Sequence, residues 1–172
     1  MYKKASKKEV GIVGCTLLYG NERDIQHAGI FLMPEGMADH MYVRERYQTA
    51  LKQVGSEKFP YDITKDMPMT AVTGAAQLVR KSSFEKIGGF DEKFIICGGD
   101  VDLCIRMNES GLQTWFVGGG YMLHKESISR KFIPIPAEDF YNSYISYIKG
   151  YDPELGDPFL PEITKKIKIH GV

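Results

Sequence analysis

Two aspartates, Asp100 and Asp102, stand near the start of the stretch GGDVDLCIRMNES at residues 98–110. A carboxylate where a loop becomes a helix can take a proton from an incoming hydroxyl, while the helix N-terminus supports its negative charge. Aspartate there is also a common helix N-cap, and from the residues alone the cap is the commoner reading. On a helix Asp102 lies well round the axis from Asp100, so the pair is not read as a D-x-D that grips one metal.

The remaining polar candidates are weaker. His27, His40 and His124 are isolated in sequence, and an isolated histidine is most often a satisfied structural residue. A metal site needs two or more partner ligands, and no local spacing supplies them. The pairs Gly88-Gly89 and Gly98-Gly99 allow a positive φ or a close backbone approach. Trp115 reads as a core residue. Tyr42, Tyr47 and Tyr61 are better placed to stack on a sugar ring. Cys15, Cys97 and Cys104 form no CxxC pair and leave an odd count, as reduced thiols would.

The elements that must position these residues read as mixed α/β. Residues 1–8 look like a frayed helix end. Residues 9–20 and 24–32 read as extended runs, the first closing at Gly20-Asn21. Residues 33–66 form a long irregular excursion with at most a short helix. Residues 69–80 read as a buried strand interrupted at 73–76. A short helix follows, with Ser82 and Glu85 as a capping box and Gly88-Gly89 as its stop. Residues 100–110 are helical, with Val101, Cys104, Ile105 and Asn108 on one face and Gly111 past the end. Residues 112–118 form a strand that the glycines at 118–120 turn. Residues 136–150 read as an amphipathic helix with Phe140, Tyr144, Ile145 and Ile148 inward, followed by a proline-rich tail over the surface.

The chain has 172 residues, enough for one domain with a core at 9–135 and a helix and tail at 136–172. Lys+Arg and Asp+Glu both number 22, which argues against nucleic acid as a partner. Basic clusters at Lys3, Lys4, Lys7 and Lys8, and at Lys165, Lys166 and Lys168, read as solvated tails. No signal-peptide pattern and no membrane-spanning apolar run is visible. A cytoplasmic protein is expected, with peripheral attachment to the inner membrane as an added expectation.

Five stretches occur in one order: EVGIVGCTLLYGNERDIQHAG, GIFLMPEGMADH, VTGAAQLVRKSSFEKIGGFDEKF, GGDVDLCIRMNESGLQTWFVGGGYMLHKESISR and YDPELGDPFLPEIT. In that order, over residues 9 to about 164, they resemble the later part of family 2, GT-A fold glycosyltransferases that build bacterial surface polysaccharides, the rhamnosyltransferase-like ones above all. The resemblance implies a partial GT-A, Rossmann-like α/β domain with a mixed sheet and flanking helices.

It also implies an inverting transfer from a nucleotide sugar to a glycan or lipid-linked acceptor. Asp100 then matches the base. Thr73, Gly74 and Ala75 match the strand end lining the sugar and acceptor pocket. Gly99, Asp102 and Arg106 flank the base as substrate-binding residues. His124 matches a histidine near the metal and diphosphate. Gly99 departs from the acidic residue or asparagine usual before the base. The complete enzyme is expected to use a divalent metal, Mn²⁺ or Mg²⁺.

The family's first ~100 residues carry the nucleotide-binding units and the metal-binding D-x-D, and a domain of that size has no counterpart here. The N-terminal nucleotide-binding half is therefore expected to be missing and the chain to be inactive alone, completed by a donor-half partner chain or dimerised through an exposed sheet face. The alternative expectation is a non-catalytic glycan-binding or accessory subunit.

Overall fold

A computed structural model describes residues 1–125, 134–152 and 154–164. In chain order the elements are α1 (Tyr2–Ala5), β1 (Val10–Tyr19), β2 (Ile25–His27), β3 (Ile30–Leu32), β4 (Ala38–His40), α2 (Tyr47–Lys52), β5 (Met67–Pro68), a 3-10 turn (Gly74–Ala76), β6 (Leu78–Val79), α3 (Lys81–Lys86), α4 (Gly99–Glu109), β7 (Gln113–His124), α5 (Ala137–Tyr147) and α6 (Pro161–Thr164). The H-x-E-S-x-S-R ending of the fourth motif and the Lys165, Lys166 and Lys168 cluster fall partly or wholly outside the described residues.

β1 is the central strand of a mixed sheet in the order β2-β1-β7-β5, with β6 also paired to β1. Nine of its ten residues are buried. A strand covered on both faces needs such a run of apolar and small residues, and its parallel neighbour β7 completes the arrangement. β3 and β4 form a separate antiparallel pair. α4 lays Val101, Leu103, Cys104, Ile105 and Met107 into the core with Ile12, Leu18 and Phe116. Asn108 closes the end of α4 onto the strands, donating to the Thr70 carbonyl at 3.0 Å and accepting the Thr114 N–H at 2.9 Å.

Several expectations change. Residues 69–80 are buried at their start but are not one strand; within them Leu78–Val79 pairs with β1, and Ala71 makes an isolated bridge to Ile30. The glycine run at 118–120 does not turn the chain. β7 continues through it, and the register with β1 jumps from Cys15↔Val117 to Thr16↔Tyr121, so the glycines form a bulge in an unbroken strand. Gly118 is required there, because a Cβ would lie 2.2 Å from the Thr64 carbonyl carbon.

Ser82 and Glu85 form no capping box. Arg80 is the N-cap of α3 without a side-chain bond, and Ser82 lies inside the helix. Its stop does hold: Gly89 N–H reaches the Phe84 carbonyl and Gly88 N–H the Glu85 carbonyl, a Schellman closure.

α5 is turned over relative to its expected pose. Phe140, Tyr144, Ile145 and Ile148 are exposed, while Asp139, Ser143 and Tyr147 are buried. In its described part, up to residue 164, the tail is anchored at Asp157 rather than laid over the surface. Asp157 is buried and its carboxylate accepts the N–H groups of Leu32, Phe159 and Leu160. Among the described residues no helix is long and apolar enough to cross a membrane.

Candidate active site

A cavity of about 630 Å³ opens beside the start of α4. Its wall contains Thr73, Gly74, Ala75, Gly99, Asp100 and His124, so six of the eight residues singled out in the sequence meet there. Asp102 and Arg106 do not line it. Asp102 is buried and paired with Arg106 at 2.7 Å, and its other oxygen accepts the Ser146 hydroxyl at 2.7 Å. Arg106 also donates to the carbonyls of Ile87 and Gly89. The two form a knot joining the ends of α3, α4 and α5.

Asp100 is not the helix cap. Gly98 is the N-cap, with φ 92°, and Gly99 begins the helix. Only glycine fits there, since a Cβ on Gly98 would stand 2.6 Å from the Tyr147 hydroxyl and 2.8 Å from that of Ser143. With capping left to Gly98, the Asp100 side chain is released toward the cavity. Its Oδ2 accepts the Gly74 N–H at 2.7 Å and its Oδ1 accepts the Val101 N–H at 2.9 Å. Each oxygen keeps a lone pair, so the carboxylate is steadied by two amides and can still accept a proton. Asp100 and Asp102 thus point into different surroundings, as their helical spacing implies.

The loop before α4 is held by α5. Asp139 accepts the N–H groups of Ile95, Ile96 and Cys97 at 2.7, 2.8 and 2.9 Å. Burial alone would raise its pKa, but these donors outweigh it and hold the carboxyl below its ordinary range. The Tyr147 hydroxyl donates to the Gly98 carbonyl at 2.8 Å, and burial pushes that phenol well up. Sequence reasoning missed Asp139, Ser146 and Tyr147. An aspartate in the first turn of a helix looks like ordinary dipole compensation, and nothing nearby in the chain marks its distant amides.

Two histidines treated as unremarkable in sequence are a pair. His27 is fully buried, and its Nδ1 lies 3.0 Å from Nδ1 of His40, which lines the cavity. Burial, and next the neighbouring His40, lower the pKa of His27 well below its usual value. His124 has its Nδ1 2.7 Å from the Gln26 side-chain oxygen. That oxygen only accepts, so Nδ1 donates to it, which leaves Nε2 as the ring nitrogen that could serve as a metal ligand or a hydrogen-bond acceptor. Among the described residues, however, no group of three or more His, Cys, Asp or Glu side chains could hold a metal. These residues do not make a metal centre by themselves. No disulfide joins the three cysteines, and burial pushes the Cys104 thiol up to about 12. Trp115 is half-buried, away from the cavity, with the Lys4 ammonium 3.7 Å from its ring centre.

The rim of the cavity is apolar. Phe90, Ile95, Ile135 and Phe140 line it and are 52%, 65%, 42% and 44% exposed.

Residues 57–128 match a family model described as the N-terminal domain of galactosyltransferase. The chain is 36% identical over 166 residues to O-antigen biosynthesis protein RfbC of Myxococcus xanthus, a match spanning 95% of this chain and 12% of that protein. It is 34% identical over 64 residues to N-acetylglucosaminyl-diphospho-decaprenol L-rhamnosyltransferase of Mycobacterium tuberculosis, covering 37% of this chain and 21% of that one. It is 29% identical over 72 residues to rhamnosyltransferase WbbL of Escherichia coli, covering 41% and 27%. The chain thus spans about an eighth to a quarter of the lengths of these relatives. Two of these relatives are named as rhamnosyltransferases and one for O-antigen biosynthesis, and the chain is similar to a part of each.

Proposed function

We propose that this chain is the acceptor-side part of an inverting, GT-A type glycosyltransferase with Asp100 as its base. The observation that carries the reading is the half-buried Asp100 carboxylate, aimed into the cavity and steadied by the Gly74 and Val101 amides. In the reaction an acceptor hydroxyl oxygen attacks the anomeric carbon of a nucleotide sugar. Asp100 takes the hydroxyl proton as the new C–O bond forms, and the bond to the diphosphate breaks to release the nucleoside diphosphate. Thr73, Gly74, Ala75 and Gly99 line the acceptor's path. The apolar rim favours an acceptor that carries an apolar portion, such as a lipid-linked glycan, and fits work at the cytoplasmic face of a membrane.

In this reading the nucleotide and a divalent metal, Mn²⁺ or Mg²⁺, are held largely by a donor-binding half outside these 172 residues. His124 is the residue of this chain that would reach them. The outer half of β7 supports the incompleteness: Tyr121, Met122 and Leu123 are 48%, 49% and 43% exposed. Among the described residues no strand pairs with its outer edge beyond Phe116. That edge and face would meet the donor half or a second copy. A clean monomer by sedimentation at high concentration would count against the homodimer.

Asp100→Asn in an enzyme that contains the donor half tests the base. Transfer should fall by about a thousandfold while donor binding stays nearly unchanged. Surviving transfer would reduce Asp100 to a structural residue. The isolated chain should bind no UDP-, GDP- or dTDP-sugar in calorimetry with either metal; tight metal-dependent binding would overturn the division between halves.

A further inference from the structure

We propose that His27 is a positioning residue for the Asp100 centre, holding with one ring nitrogen the turn that binds Asp100 and fixing with the other the tautomer of His40 at the cavity wall. His27 closes β2, with its side chain fully buried behind the cavity. Its Nε2 lies 3.4 Å from the Thr73 backbone nitrogen, a long bond but one in which the roles are fixed, because a backbone N–H can only donate. Nε2 is therefore unprotonated. The neutral ring then carries its proton on Nδ1, which faces His40 Nδ1 at 3.0 Å. His40 Nδ1 must accept, which leaves His40 neutral with its own proton on Nε2.

Both ends of this arrangement reach the site. The amide after Thr73 is Gly74, whose N–H binds Asp100 Oδ2 at 2.7 Å, so the contact from His27 sets the backbone that sets the carboxylate. His40 sits on β4, in the short β3–β4 pair, and lines the same cavity. A ring locked with Nε2–H offers a donor and not an acceptor at that nitrogen. Burial of His27 supports the assignment, since it disfavours the doubly protonated ring that could not accept from Thr73. The inference rests on Asp100 as the reacting carboxylate only for its functional meaning. The geometry it asserts can be read without turnover, so either reading can fail while the other stands.

The test uses the 172-residue chain labelled with ¹⁵N. Two-bond imidazole spectra near neutral pH should show His27 protonated on Nδ1 alone and His40 on Nε2 alone. A protonated Nε2 on His27, or either ring averaging between tautomers, would overturn the proposal without any variant. Two substitutions then separate the ends. His27→Asn keeps an N–H donor near the Nδ1 place and removes the acceptor for Thr73. His27→Gln keeps an oxygen near the Nε2 place and removes the ordered donor to His40.

With folding confirmed by thermal melts, His27→Asn should speed amide exchange at Thr73 and Gly74 by about tenfold and shift the Asp100 carboxyl ¹³C signal, with the His40 tautomer kept. His27→Gln should do the reverse, leaving those amides near the wild type while His40 begins to average. Wild-type amide exchange and an unmoved Asp100 signal in both folded variants would show that His27 only fills space.

Discussion

The β1–β7 centre and the shell formed by α5 over residues 94–98 are stabilised in opposite ways. In the first, nine of the ten residues of β1 are buried and the partner strand runs beside it for nearly its whole length. The stabilisation is spread over many side chains and a long ladder, so no single group decides it. In the second, Phe140, Tyr144, Ile145 and Ile148 face outward, and the buried face carries the Asp139 carboxylate and the hydroxyls of Ser143 and Tyr147, whose ring joins the core. A few directed hydrogen bonds hold the loop that carries Gly98 and sets the direction of Asp100. Distributed burial tolerates small errors. A shell pinned by a few directed hydrogen bonds is more sensitive to the loss of any one of them.

The contrast is most exposed at Asp139. Asp139→Ala leaves three backbone N–H groups at residues 95–97 without their acceptor and should cost roughly 3 kcal/mol in urea unfolding. Ile12→Val, at the heart of the sheet, should cost about 1 kcal/mol. If the two costs came out in the reverse order, the shell would be held by packing after all.

Acid should separate the regions next. The Asp139 carboxyl is held below its ordinary value of 3.8, so its contribution is present above that value and is lost as pH falls through the lower folded one. Asp157 differs. Burial, against the amides of Leu32, Phe159 and Leu160, raises its pKa above 3.8. Its contribution is therefore present below the unfolded value and shrinks as pH rises through the folded one, so acid does not release the tail. Amide exchange below the ordinary carboxylate range should show residues 95–97 opening while β1 and the contact of Asp157 with Leu32 persist. Simultaneous opening of all three would merge the regions into one cooperative unit.

The smallest expected effect sharpens the orientation of α5. Tyr144→Ser, on the outward face and 49% exposed, should change stability by less than about 0.5 kcal/mol. A cost of several times that would mean this face is covered in solution by a partner.

Much of the sheet side was legible. The unbroken apolar and small run of β1 and the spacing of Val101, Cys104, Ile105 and Asn108 in α4 identify both elements, because burial leaves a local period in the chain. Asp100, with Thr73, Gly74, Ala75 and His124, was legible through the order of the motifs around it, and those residues do share one cavity. The rest of the site was not. The helical period of α5 was read correctly but its facing was inverted. Phe140, Tyr144, Ile145 and Ile148 look like a core stripe, and only the amides 42 to 44 residues away show that Asp139 is the inward group.

The sequence by itself therefore determined which segments are central strand and core helix, and which carboxylate stands at a loop-to-helix junction. Those properties follow from side-chain hydrophobicity and order, which are local. Tertiary structure alone decided that Gly98 and not Asp100 caps the helix and that the 118–120 glycines bulge instead of turning. It also joined His27 to His40 and turned the polar face of α5 inward. Each of these depends on a close approach or a hydrogen bond between distant segments. Such a contact has no periodic trace, since a polar side chain reads the same in sequence whether it meets water or a buried amide.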